Sequence, residues 1–361
     1  MSGPVLEASN LRVRRGGTLV LNVPALQIQK GEVFSIIGPN GAGKSTLLQA
    51  LCSLLPFEGE LSFRGRKIGQ EIPVLQYRRK VAMVLQEPLL FNTTVYRNVA
   101  SGLKIRDIKK RDAEGIVLST LERLGIRELK DRAARTLSGG EARKVSLARA
   151  IATSPELLFL DEPFSALDPV IREALIEDLE QVIEETKITT LFVTHDREEA
   201  LRLSTRLGVM WRGEILQAGI PREVMDHPVD EHVASLVGME TILRGEVLRN
   251  GSGVFVASVS GREIEAAGQR KKGEKVLLCI RAENIRLSPL DETDTAGEVN
   301  SFPARIEKIV PLWLYRKVFL NCGFPLVAYV MDQDSNAFHL KEGIAVRASF
   351  SKIHVIGEES G

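Results

Sequence analysis

The chain has 361 residues, room for two domains, and its 48 basic and 47 acidic side chains leave a net charge of +1, which gives no broad basic field for nucleic acid. No apolar run approaches the ~20 residues needed to cross a bilayer, and Met1 to Val5 opens no secretory pattern, so a membrane role has to come through a partner. Cys52, Cys279 and Cys322 are odd in number, widely spaced and without a metal-like pair, as expected of buried packing residues in a reduced compartment.

In chain order, the first stretch carrying chemistry starts with GEVFSII. Gly31 to Ile37 predicts a buried strand, and STLLQALCSLL, from Ser45, predicts a helix. Between them run Gly38, Pro39, Asn40, Gly41, Ala42, Gly43, Lys44, Ser45 and Thr46. Gly38, Gly41 and Gly43 let successive amides turn inward around phosphates, Lys44 can reach the β and γ oxygens, and the Ser45 hydroxyl is left for Mg²⁺. A nucleotide triphosphate site at the positive end of a helix is therefore expected.

Further along, Gln86 follows an expected strand over Val81 to Leu85. Leu89 to Lys130 reads as helices with modest apolar faces and many charges. In the segment Leu137 to Asp168, Ser138, Gly139 and Gly140 lead into a predicted helix over Glu141 to Ala152. Its N-terminal dipole and free amides suit an anion. Leu157 to Leu160 then run straight into Asp161 and Glu162. Such a run suits a strand buried on both faces, which delivers both carboxylates at the sheet's C-terminal edge. There Asp161 can hold Mg²⁺ through its water shell, and Glu162 can polarise a water for in-line displacement of the γ-phosphate. The run Thr189 to Thr194 predicts another strand, with His195 at its C-terminal end, where a neutral imidazole can bond a phosphate oxygen.

After about Met239 the periodicity changes to short alternating runs separated by Gly, Asn, Asp and Pro, which predicts a small all-β domain. The polar run Leu290 to Glu298 divides it. GEKVLLCIRAENIRL before the divider is echoed by GIAVRASFSKIHVI after it, so a duplicated barrel-like unit is expected.

With these motifs in this order, the chain resembles the ATP-binding cassette (ABC) ATPases, the motor subunits of transporters. The resemblance implies an α/β P-loop nucleotide-binding domain over residues 1–239, with a helical subdomain at about 87–155. It also implies a barrel-like accessory domain of the OB or TOBE type over 240–361. LSGGE, Leu137 to Glu141, resembles the family signature, in which Ser138 and the Gly139 and Gly140 amides grip the γ-phosphate held by the opposite subunit. That implies a homodimer binding ATP and Mg²⁺. Gln86 matches the loop glutamine that senses Mg²⁺ and the attacking water, His195 the switch histidine, and Ser165 to Asp168 the loop linking the two sites. In the family the region after Gln86 receives a helix from an integral-membrane permease, and Phe91, Val95 and Tyr96 are the candidates for that groove. An extracytoplasmic substrate-binding protein acts indirectly, and the ATPase sits on the cytoplasmic face of the membrane.

One position departs from the family. Arg15 stands where an aromatic ring usually stacks on adenine. A guanidinium plane can replace it, with Val20 or Leu21 adding apolar contact, and the preference for ATP over GTP stays open. The C-terminal runs FPARIEKIV, LNCGFPLVAYV and ASFSKIHVI look most like the modules on molybdate and tungstate importers, with Ser349, Ser351 and Lys352 as possible oxyanion donors. Importers of sulfate, sugar, polyamine or iron share the same motor, and soluble members of the superfamily work on ribosomes or DNA, so those readings remain alternatives.

Overall fold

The computed structural model describes residues 3–290, 299–331 and 340–357, so the expected divider lies outside it from 291 to 298. The chain divides into two units, Met1–Val224 and Met225–Gly361.

The first unit runs β1 (Leu6–Arg15), β2 (Thr18–Ile28), β3 (Val33–Ile37), α1 (Lys44–Leu51), β4 (Glu58–Phe63), β5 (Arg66–Lys67), α2 (Val74–Arg78), β6 (Val81–Val84), α3 (Val95–Ile105), α4 (Lys110–Arg123), α5 (Gly139–Ile151), β7 (Leu157–Asp161), α6 (Pro169–Thr186), β8 (Thr189–Thr194), α7 (Arg197–Leu203), β9 (Arg206–Trp211) and β10 (Glu214–Gly219). Six strands form one sheet in the order β10-β9-β3-β8-β7-β6, parallel except for β10. Every residue of β3, β7 and β8 is buried, as expected of parallel strands covered on both faces. Alternation splits β7 between two cores. Leu157 and Phe159 pack with α1 and the antiparallel sheet β2-β1-β4-β5, whereas Leu158 and Leu160 pack with α3 to α6.

The helix after the glycine-rich loop is shorter than expected. The amides of Ser53 and Leu54 fold back onto the carbonyls of Ala50 and Gln49, 2.8 Å each, with Ser53 left-handed at φ 54°. This Schellman-type closure ends α1 after Leu51.

The second unit contains α9 (Glu231–Leu236), after the short helix α8 (Pro221–Asp226) in which the division falls, and strands β11 (Thr241–Asn250), β12 (Val254–Val259), β13 (Arg262–Ala267), β14 (Lys275–Ile280), β15 (Arg286–Pro289), β16 (Asn300–Pro311), β17 (Tyr315–Asn321), β18 (Pro325–Met331), β19 (Ala345–Phe350) and β20 (His354–Gly357). They make two five-stranded sheets, β13-β12-β11-β14-β20 and β15-β19-β16-β17-β18. Written from the same edge, the two orders are equivalent, which is the duplication the sequence echo predicts. Each repeat keeps four of its strands and lends the fifth. β15 leaves the first repeat to pair with β19, and β20 leaves the second to pair with β14. One apolar core runs through both repeats, from Phe255 and Ile264 to Phe302, Phe324 and Phe350. Strand β13 escapes the sequence reading because Ile264 is its one large apolar residue, yet Ile264 and Ala266 face this core. All three cysteines are buried and unpaired, and burial pushes the Cys279 and Cys322 thiols up to about 12.

Candidate functional site

Four neighbouring parallel strands, in the order β3-β8-β7-β6, end at the same edge of the six-stranded sheet. The glycine-rich loop follows β3, Asp161 and Glu162 close β7, His195 follows β8 and Gln86 lies just beyond β6. The topology alone therefore gathers the residues singled out by sequence, at the C-terminal edge where open parallel sheets place their ligand sites.

A cleft of about 450 Å³ opens there, with walls that include Arg15, Asn40, Lys44, Thr46, Gln86 and Glu162; Asp161 and His195 bond to its lining residues Ser45 and Glu162. Gly41 and Gly43 have φ of 80° and 105°, which a side chain would strain, and a Cβ at Gly38 would lie 2.3 Å from the Met210 carbonyl oxygen. Ala42 is buried, its carbonyl accepting from the Gly213 amide at 2.8 Å. Lys44 is 5 % exposed, and its ammonium donates to the carbonyls of Gly38 (2.7 Å) and Pro39 (3.0 Å).

Glu162 is the hub of the cleft. Its Oε1 lies 3.8 Å from Lys44 Nζ, and its Oε2 lies 3.4 Å from Gln86 Nε2 and 3.3 Å from His195 Nδ1. Ser45 donates from Oγ to Asp161 Oδ1 at 2.8 Å. Burial pushes the Asp161 carboxyl above its usual range, helped by the charge of Glu162, while the Ser45 hydrogen bond and Lys44 act the other way. Burial also lowers the Lys44 ammonium, against the pull of Glu162 and Asp161. The Ser45 and Asp161 oxygens, with Gln86 beside them, are hard ligands suited to Mg²⁺. Among the described residues no group of three or more His, Cys, Asp or Glu is placed to hold a metal ion.

Other predicted residues lie elsewhere. Ser138 caps α5 and forms a capping box with Glu141. The Glu141 amide donates to Ser138 Oγ (3.3 Å), and the Ser138 amide donates to Glu141 Oε2 (2.7 Å). That backbone bond, with Arg132 at 3.0 Å, holds the Glu141 carboxyl below its usual range. Ser138 and Gly139 are exposed, and none of Ser138, Gly139, Gly140 or Glu141 lines the cleft. Asp168 likewise faces its own helix, accepting from the Val170 and Ile171 amides at 3.2 and 3.1 Å to cap α6.

Of the residues expected on the adenine side, two reach the cleft and one does not. Arg15 pairs with Thr18 across Gly16 and Gly17, a two-residue turn with φ of 55° and 82°, and this hairpin brings Arg15 and Val20 to the cleft wall. Leu21 is buried in the core and does not reach the cleft. In the helical layer Phe91 is 58 % exposed and Tyr96 half-buried, but Val95 has no exposure and belongs to the core, so it lines no groove. Buried Asn98 presents Phe91 outward by bonding its amide and carbonyl, at 2.8 and 3.0 Å.

Sequence reasoning missed two arginines. Arg143 of α5 reaches the backbone carbonyls of Gln86, Glu162 and Ser165. Arg172 of α6 bridges Asp196 (2.5 Å) and Glu199 (3.0 Å), and Glu199 in turn accepts from Thr194 at 2.5 Å, which braces both sides of His195. A signal existed for Arg143 in its place two residues after the signature, but its partners are main-chain atoms that carry no side-chain pattern.

Residues 21–165 match the family described as ABC transporter. The chain is 37 % identical over 336 residues to a molybdate/tungstate import ATP-binding protein of Pyrococcus horikoshii, an alignment covering 92 % of this chain and 94 % of that one. Proteins of the same description from Pyrococcus abyssi (36 % over 335 residues, 90 % and 92 % covered) and Thermococcus kodakarensis (39 % over 286 residues, 78 % and 82 % covered) are similarly related. Among solved structures, cbiO1 from Clostridium perfringens, part of the ABC transporter complex cbiONQ, aligns with a TM-score of 0.57 and 28 % identity. It covers 66 % of this chain and 96 % of that one.

Proposed function

This chain belongs to the ABC transporter family as an ATP-binding subunit that hydrolyses ATP to ADP and phosphate, and from that premise we propose that it drives import of a tetrahedral oxyanion, molybdate or tungstate. For the chemistry, the convergence of Lys44, Gln86 and His195 on one carboxylate, Glu162, carries the reading. For the cargo, it is the relationship along nearly the whole chain, C-terminal unit included, to proteins described as molybdate/tungstate import ATPases.

In this reading the loop amides and Lys44 hold the phosphates, and Glu162 orients and polarises the attacking water. Gln86 fixes the other side of that water, and His195 bonds a γ-phosphate oxygen. Ser45 and Asp161 would hold Mg²⁺, which neutralises phosphate charge when bound. Ser138 and its neighbouring amides sit outside their own cleft, which supports a homodimer in which each signature turn completes the partner's site.

Among the described residues no helix is long and apolar enough to cross a membrane. We assign the motor to the cytoplasmic face of a permease pair, with the exposed ring of Phe91 and the half-buried Tyr96 as its contact, and an extracytoplasmic binding protein delivering the cargo. Residues 240–361 serve as an accessory domain. Ser349 is buried in β19 while Ser351 and Lys352 are exposed, so these three do not form a common donor set, and the reading gives this domain a packing role.

Reconstitution with the cognate permease and binding protein in liposomes tests the cargo. Binding protein loaded with molybdate or tungstate should stimulate ATP turnover, and sulfate- or sugar-loaded protein should not. Stimulation by sulfate or sugar alone would overturn the oxyanion assignment.

A further inference from the structure

We infer that Arg143 is a positioning residue that fastens the Ser165–Asp168 loop to the backbone beneath Gln86 and Glu162, so that the pair handling the attacking water follows the state of that loop. The inference rests on the catalytic reading of Glu162 and Gln86 given above.

The backbone of Glu162 has φ 44°, a left-handed conformation that strains an ordinary residue and persists only where neighbours over-determine it. Ala166, four residues on, is also left-handed at 58°. The Glu162 amide donates to the Val193 carbonyl at 3.0 Å. Its carbonyl accepts from the Ser165 amide (3.2 Å), the Ser165 hydroxyl (3.0 Å) and Arg143 Nη1 (3.4 Å). The same Nη1 donates to the Gln86 carbonyl, and Nη2 donates to the Ser165 carbonyl at 2.9 Å. One planar fork thus ties the backbone at Gln86 to the turn Glu162–Ser165, two stretches far apart in sequence. The first carries the water-orienting amide, and the second carries the water-polarising carboxylate and opens the loop that would face a second copy.

The way Arg143 is held fits positioning better than packing. It is 6 % exposed, and no carboxylate lies among its hydrogen-bond partners, which are all neutral carbonyls. Burial works against its charge, and the Glu162 carboxylate favours it. Its Nε is buried without a hydrogen-bond partner among the described residues. A guanidinium under those penalties is retained by the geometry of its fork, because a lysine ammonium cannot present coplanar donors to three carbonyls.

The test uses the full chain as Arg143→Lys and Arg143→Gln, with Glu162→Gln alongside. Steady-state turnover, KM for Mg-ATP, affinity for a fluorescent ATP analogue and Tm are read for each. Both Arg143 variants should lose about 10- to 100-fold in kcat. KM and analogue affinity should stay within about twofold, since the phosphate loop is untouched. The neutral glutamine removes the buried charge, so it remains informative if the lysine variant fails to fold. Hydrogen exchange should rise together at the Gln86 and Ser165–Asp168 loops. Wild-type kcat in Arg143→Lys or Arg143→Gln overturns the inference, as does a kcat loss that tracks KM and Tm. Wild-type turnover in Glu162→Gln would instead sink the catalytic reading beneath it.

Discussion

Glu162 combines a left-handed backbone with three partners on one carboxylate, and its substitutions separate binding from chemistry. Glu162→Gln keeps the side-chain shape and removes the charge. Turnover should fall by about 10²–10³ while nucleotide affinity holds, measured by titration beside a phosphate-release assay. Asp161 next door is raised by burial, so the folded protein takes up its proton more readily than the unfolded chain. In the nucleotide-free protein that contribution is present at low pH and is lost as pH rises from the unfolded value through the folded one. Asp161→Asn should therefore raise Tm of the nucleotide-free protein at neutral pH, by about 2–4 °C for each kcal/mol recovered. Scanning calorimetry checks it, and a lower Tm contradicts the burial argument. Arg15→Ala should weaken nucleotide binding severalfold, because Arg15 stands at the cleft wall beside Val20. An unchanged titration would leave Arg15 a solvated charge. At this scale the phosphate loop and the Asp161–Glu162 pair were legible because their chemistry demands fixed residue types at fixed spacing. Arg143 and the turn at Glu162 were not, since both are defined by main-chain geometry across segments that meet only after folding.

The elements that mattered were legible for a related reason. An apolar run ending in two carboxylates can hardly be placed anywhere but between parallel neighbours, and β7 lies between β6 and β8. Helix faces were harder. Val95 and Tyr96 are adjacent in sequence, yet one packs into the core and the other stays half-buried, and tertiary contact decides which. Strand β13 was missed because Ile264 is its one large apolar residue. The contact between α5 and α6 offers an element-scale test. A Cβ at Gly140 would lie 2.5 Å from Ile171 Cγ2, a β-branched group with little freedom to move. Gly140→Ala should lower stability by about 1–3 kcal/mol, and Ile171→Ala in the same chain should restore part of it. Thermal melts of the three variants decide, and equal loss in the single and double variants would place the strain elsewhere.

For the whole molecule, the decisive feature is a division of labour between distant surfaces. The phosphate loop, Gln86 and Glu162 line the cleft, with Asp161 and His195 bonded to its lining residues Ser45 and Glu162, whereas the signature turn at Ser138 caps an exposed helix end and does not line it. A capping serine alone is worth about 1 kcal/mol of stability when replaced by alanine, so Ser138→Ala should move Tm only slightly. If the turn completes a second copy's site, the same change should abolish an ATP-dependent dimer. Sedimentation of the Glu162→Gln chain with saturating Mg-ATP measures this most directly. The account predicts a pair of chains that reverts to single chains on adding Ser138→Ala. Single chains at saturating Mg-ATP, or a pair indifferent to Ser138, would contradict it.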